Sequence, residues 1–146
     1  MKKIAIGSDH AAFSMKRLLK DYLEVKGYEV TDFGAHNESS CDYPDYGIAV
    51  GEAVVSGVCE AGVVLCGTGI GISISANKVK GVRAALCSEP LSAQLSRKHN
   101  DANVLAMGAR IIGVELAKSI LDAWLETDYE GGRHQKRLDK ISEYEK

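Results

Sequence analysis

The chain has 146 residues, 45% of them hydrophobic and 26% charged, with a formal net charge of −2. That length fits one domain, residues 1–146, and the near-neutral charge leaves no footprint for a nucleic-acid or acidic-membrane partner. No apolar run approaches the ~20 residues of a membrane span, and Cys41, Cys59, Cys66 and Cys87 lack C-x-x-C spacing, which points to reduced thiols in the cytoplasm.

Residues 3–7 read as a short buried strand, stopped by Ser8-Asp9-His10. Met15, Leu18, Leu19, Tyr22 and Leu23 then recur at helical spacing, with Gly27 as the stop. Residues 28–33 form a second strand and 34–43 a polar loop. Pro44 suits the first turn of a helix capped by Asp42, with Ala49, Val50, Ala53 and Val54 as its apolar stripe. A third strand ends at Cys66. Residues 82–86 are the fourth, and Ser88-Glu89-Pro90 opens a helix ending near His99. Residues 103–107 are the fifth strand, before an amphipathic helix built on Leu116, Ala117, Ile120, Leu121, Trp124 and Leu125. After Gly131-Gly132 the tail is highly charged, with only Leu138, Ile141 and Tyr144 apolar. A helix there buries little against its own domain and is expected to dock on a second subunit.

This alternation predicts an α/β fold: a Rossmann-like three-layer α/β/α sandwich with a five-stranded parallel sheet and a C-terminal helix. Ligands of such sheets bind beyond the carboxyl ends of the strands. A strand order 2-1-3-4-5 makes the first and third strands neighbours, bringing Asp9 and His10 beside Cys66.

Residues 61–77 organise the chain. The run Val63-Val64-Leu65 stops at Cys66, and Gly67, Gly69 and Gly71 follow at every second position, with Thr68 between the first two. Glycines let backbone N–H groups converge on an anion, and a helix beginning here adds its positive end. A cysteine in that setting has its thiolate favoured, which suits a base or nucleophile. The spacing fits neither G-x-G-x-x-G nor the G-K-[ST] of a Walker loop, so nicotinamide-cofactor chemistry lacks its fingerprint. The bland alternative is a glycine-rich turn with Cys66 as core filler. Ile70, Ile72 and Ile74 also alternate as in a strand, which competes with a helix start.

Other residues have two readings each. His10 is a site residue or a loop cap, and His99 alone reads as a cation at a helix end. Arg133 and Arg137 share a helical face and form either a phosphate clamp or a solvated surface. Asp9, His10, Asp42 and Asp45 have no metal-ligand spacing, so no metal is expected there.

G-S-D-H-A-A at 7–12, D-Y-P-D-Y at 42–46, C-G-T-G-I-G-I-S-I-S-A-N-K at 66–78, S-E-P-L-S-A-Q-L-S-R-K-H-N at 88–100 and Y-E-G-G-R-H-Q-K-R at 129–137 resemble ribose-5-phosphate isomerase type B. The resemblance implies a metal-free, cofactor-free aldose–ketose isomerase acting through a cis-enediol. It makes Cys66 the base and His99 the acid/base that opens the sugar ring. Asp9 and His10 contact the sugar, and the loop Gly67, Thr68, Gly69, Ile70 and Gly71 holds enediolate oxygens. Thr68 bonds either Cys66 or the substrate. Asn100, Arg110, Arg133 and Arg137 bind hydroxyls or phosphate. A hexose 6-phosphate isomerase and a non-catalytic phosphosugar-binding module are the alternatives.

One consequence concerns subunits. A helix returning from the fourth strand carries His99 and Asn100 to the edge opposite Cys66, about 15 Å away. If His99 acts beside Cys66, it comes from the other chain of a homodimer, or of a dimer of dimers.

Overall fold

The structure, a computed structural model, describes residues 3–146. Five strands form one parallel sheet: β1 Lys3–Ser8, β2 Glu29–Asp32, β3 Ala61–Cys66, β4 Ala84–Leu86 and β5 Val104–Gly108. Six helices accompany them: α1 Phe13–Val25, α2 Tyr43–Val55, α3 Ile70–Asn77, α4 Pro90–Asn100, α5 Val114–Leu125 and α6 Arg133–Glu145. A short 3₁₀ turn, His10–Ala12, leads into α1. Asp42 takes the N-cap position of α2, but its side chain makes no capping hydrogen bond. Among the described residues no helix is long and apolar enough to cross a membrane.

The strand order is β2-β1-β3-β5-β4. It confirms β1 beside β3 and corrects the expected sequence of the last two strands. The reason lies in burial. All five residues of β5 are buried, whereas β4 has three residues and ends on the exposed Leu86. A strand buried on both faces belongs inside a sheet, and the short one serves as its edge. Gly108 also lets the end of β5 close up against the loop that follows β3, since a Cβ there would stand 2.4 Å from the Thr68 carbonyl oxygen.

Side chains alternate across the sheet with period two. Ile4, Ile6, Val63, Leu65, Leu105 and Met107 face α1, α4 and α5, where Leu19, Leu23, Ala93, Ile120 and Trp124 complete the core. Ala5, Val64, Val104 and Ala106 face α2 and α3 with Val50, Val54, Ile72 and Ala76. The smaller residues on this second face let the helices approach closely: a Cβ on Gly62 would meet Val50 at 2.6 Å. The register sets Ser8 beside Leu65 and Cys66 beside Gly108, so the carboxyl ends of β1, β3 and β5 are level.

Candidate active site

At that carboxyl edge, β3 delivers Cys66 into the glycine loop. Gly69 is the N-cap of α3 and has φ +80. A Cβ there would lie 2.6 Å from Leu86 and 2.8 Å from the Met107 carbonyl carbon, so no other residue fits. Its N–H donates to Cys66 Sγ at 3.2 Å, and its carbonyl accepts from Ser73 at 3.2 Å. The loop thus passes directly into a helix. The alternating isoleucines sit on that helix, Ile72 buried, Ile70 and Ile74 exposed. The thiol lies at a helix N-terminus, where first-turn amides have no intrahelical partner and the helix dipole favours negative charge.

The chain leaving β5 runs alongside. Ala109 N–H donates to the Cys66 carbonyl and Arg110 N–H to that of Gly67, both at 2.9 Å. A Cβ on Gly67 would stand 3.3 Å from Arg110 Nη1, so the guanidinium lies across the loop. Tyr43, from D-Y-P-D-Y, lies against Gly71, whose Cβ would meet the phenol ring at 2.6 Å. The Thr68 hydroxyl oxygen accepts from Ile70 N–H at 3.2 Å and is otherwise exposed.

β1 brings in Asp9 and His10. Asp9 N–H donates to the Leu65 carbonyl at 3.3 Å, fixing this turn to the end of β3. The buried Asp9 carboxylate caps the 3₁₀ turn through Ala12 N–H at 3.3 Å. His10 Nδ1 accepts from Cys41 N–H at 3.2 Å, with Cys41 Sγ 3.8 Å away. In the neutral ring that acceptor role places the proton on Nε2. Cys41 read as a loop residue in the sequence; its contact with His10 spans 31 positions and leaves no local signal.

One chain therefore unites Asp9, His10, Cys66, Gly67, Thr68, Gly69, Ile70, Gly71 and Arg110. His99, Asn100, Arg133 and Arg137 assemble elsewhere. Arg83, which precedes β4, donates from Nε to the Asn100 carbonyl at 3.0 Å, marking the end of α4 as the amino edge of the sheet. His99 stacks on His134 of α6 there, ring centroids 4.4 Å apart and planes 20° from parallel. Arg137 Nη1 donates to the Arg133 carbonyl at 3.2 Å on the same exposed helix turn. The six residues of β3 separate the two clusters by about 20 Å. His134 lies within the family motif at 129–137, but nothing local gives it a role beyond its i,i+4 spacing from Glu130.

A thiol within an amide cradle at the carboxyl edge of an open parallel sheet, with an arginine across it, defines an α/β enzyme site for a small anionic molecule. The family described as Ribose/Galactose Isomerase matches over residues 4–141, and the chain belongs to that family. Ribose-5-phosphate isomerase B of Escherichia coli is 54% identical, covering 99% of this chain and 97% of its own. D-erythrulose-4-phosphate isomerase of Pectobacterium atrosepticum is 47% identical, covering 99% and 96%. The solved structure of Clostridium thermocellum ribose-5-phosphate isomerase B superposes with a TM-score of 0.97 at 55% identity, covering 98% of this chain and 97% of that one.

Proposed function

We propose that this isomerase interconverts D-ribose 5-phosphate and D-ribulose 5-phosphate through a cis-enediol in the cytoplasm, as a single 146-residue domain needing no metal or cofactor. The Cys66 thiolate takes the C2 proton of the open aldose and returns it to C1, while the O2 hydroxyl proton passes to O1 through the enediol. Amides at the α3 N-terminus hold the enediolate oxygens as charge develops, which is where preorganised donors lower a barrier most. Arg110, Asp9 and His10 orient the sugar, and Thr68 supports the loop. The observation that carries this reading is the Gly69 N–H on Cys66 Sγ, because it ties the thiol and the cradle into one unit.

The remaining residues come from a second copy of the chain. His99 opens the furanose ring, and Asn100, Arg133 and Arg137 hold hydroxyls and phosphate. Support comes from the surface around the cradle, where Ile70, Ile74, Leu86, Leu91 and Ile111 are all exposed. Ile70, Leu86 and Ile111 border an apolar cleft of about 230 Å³ that reaches Thr68 and Gly108. A homodimer closing over this face brings a second α4 and α6 to Cys66, and α6 packs at that interface.

A hexose 6-phosphate is the competing substrate, and the Pectobacterium relative, named for a four-carbon sugar, shows that similar sequences carry different sugar preferences. Comparing kcat/KM for ribose 5-phosphate and allose 6-phosphate decides between them; higher kcat/KM for the hexose overturns the pentose assignment. Cys66→Ala is expected to fold normally and lose about 10²–10⁴-fold in kcat, together with exchange of the C2 proton into solvent. A variant that keeps a tenth of wild-type kcat, roughly, returns Cys66 to core packing.

A further inference from the structure

The residues around His99 hold a feature that isomerisation does not use. The His134 side chain is 9% exposed, yet its Nε2 has no hydrogen-bond partner. The nearest charge, a Glu130 carboxylate oxygen, stands 3.5 Å away without hydrogen-bond geometry. A buried nitrogen left in that state is unusual and calls for a ligand or a role.

His99, Glu130 and His134 each present one ligand atom, and these atoms lie within 4.8 Å of one another. Two helix ends hold them in place. Glu130 N–H donates to the Lys98 carbonyl at 3.1 Å, and Arg97 Nε donates to the Thr127 carbonyl at 3.3 Å. His134 N–H donates to Gly131 at 3.1 Å, and the positive φ of Gly131 and Gly132 turns the chain back into α6. Two imidazoles and a carboxylate are the donor set of zinc sites that keep a fourth position open.

We infer that His99, Glu130 and His134 form an inhibitory site for a divalent transition-metal ion of the Zn²⁺ class. Capture requires the His99 ring, half-buried on the last turn of α4, to rotate out of its stack so that both imidazole lone pairs converge. The carboxylate offsets one charge of the ion. Arg133 and Arg137 on the same helix oppose it, so the site selects ions that bond strongly to imidazole and rejects Mg²⁺ and Ca²⁺. A metal-bound His99 nitrogen has no lone pair for a proton, and ring opening stops. This inhibitory half rests on the role proposed for His99; the binding half does not.

The test titrates EDTA-treated enzyme with Co²⁺, read by its visible absorption, and with Zn²⁺, read by activity on ribose 5-phosphate. One Co²⁺ per chain is expected. Glu130 is half-exposed, so Glu130→Gln should fold even if His134→Ala does not. Each is expected to weaken Co²⁺ binding by more than about tenfold, the smaller loss that even an outer-shell partner causes. Cys66→Ala should retain the site. Full Co²⁺ affinity in Glu130→Gln, or a signal lost only in Cys66→Ala, overturns it. Zn²⁺ should inhibit reversibly, EDTA restoring the rate, with an inhibition constant more than about tenfold higher in Glu130→Gln. Binding without inhibition overturns the inhibitory half and the ring-opening role of His99 together, whereas failure to bind leaves that role standing.

Discussion

The cluster at the carboxyl edge of the sheet is made largely of backbone, whereas the cluster at the amino edge is made of side chains on helix ends. The cradle around Cys66 is fixed by a positive-φ glycine, by the nesting of Gly108 against Thr68, and by the β5 exit running alongside. Few of its atoms can move without disturbing β3 or β5. The cluster of His99, His134, Arg133 and Arg137 hangs from the last turn of α4 and the first turns of α6, of which only His134 and Leu138 are buried. Rigid backbone suits stabilisation of developing charge, because donors there do not reorganise. Exposed cationic side chains suit capture and release of an anion.

The comparison is broken most decisively by asking whether both edges belong to one site. If a homodimer shares its sites as proposed, Cys66→Ala and His99→Ala chains refolded together give heterodimers with one intact and one doubly damaged site. Random pairing should restore roughly a quarter of wild-type activity, far above either parent. No gain, with heterodimers shown by mass, means that His99 acts within its own chain or not at all. A smaller effect sharpens the division of labour. Arg133→Ala and Arg137→Ala should raise KM about tenfold or more with a lesser fall in kcat, since phosphate contacts persist through ground and transition states. Unchanged KM in both makes the pair a solvated face.

The carboxyl edge was legible because its chemistry is local in sequence. Gly67, Gly69 and Gly71 after an apolar run announced a cradle, and the strand–helix alternation placed it. The order of β4 and β5 was not legible: both are short apolar runs, and their burial depends on which neighbour packs better. Arg110 carried no local signal, stands outside the family motifs and entered only as implied by the resemblance; its place over Gly67 follows from the β5 exit. Cys41 beside His10 and His134 beside His99 were invisible for a related reason. Each contact joins segments more than 30 residues apart, or a charged tail to a helix end, and neither leaves a periodicity.

The smallest predicted effect compares two thiols at the same edge. Cys66 ends β3 within the amide cradle; Cys87 follows β4 with 3% exposure, at the wall of the apolar cleft that reaches Thr68 and Gly108. Burial pushes the Cys87 thiol up from 9.0 to about 11, the Glu89 charge adds to the rise, and Ser96 partly offsets it. Because the folded value lies above the ordinary one, the fold favours the neutral thiol. That contribution to stability is complete below the ordinary value of 9.0 and is lost as pH rises toward about 11. Burial raises Cys59, and a hydrogen bond to Asp122 raises Tyr22 and Lys26, so other groups also lower stability in this range. The difference between wild type and Cys87→Ala isolates the one thiol. Urea midpoints of wild type should fall more steeply across this interval than those of the variant. Parallel curves would show that the Cys87 thiol ionises as freely in the native chain as in the unfolded one, and that its pocket is open to water.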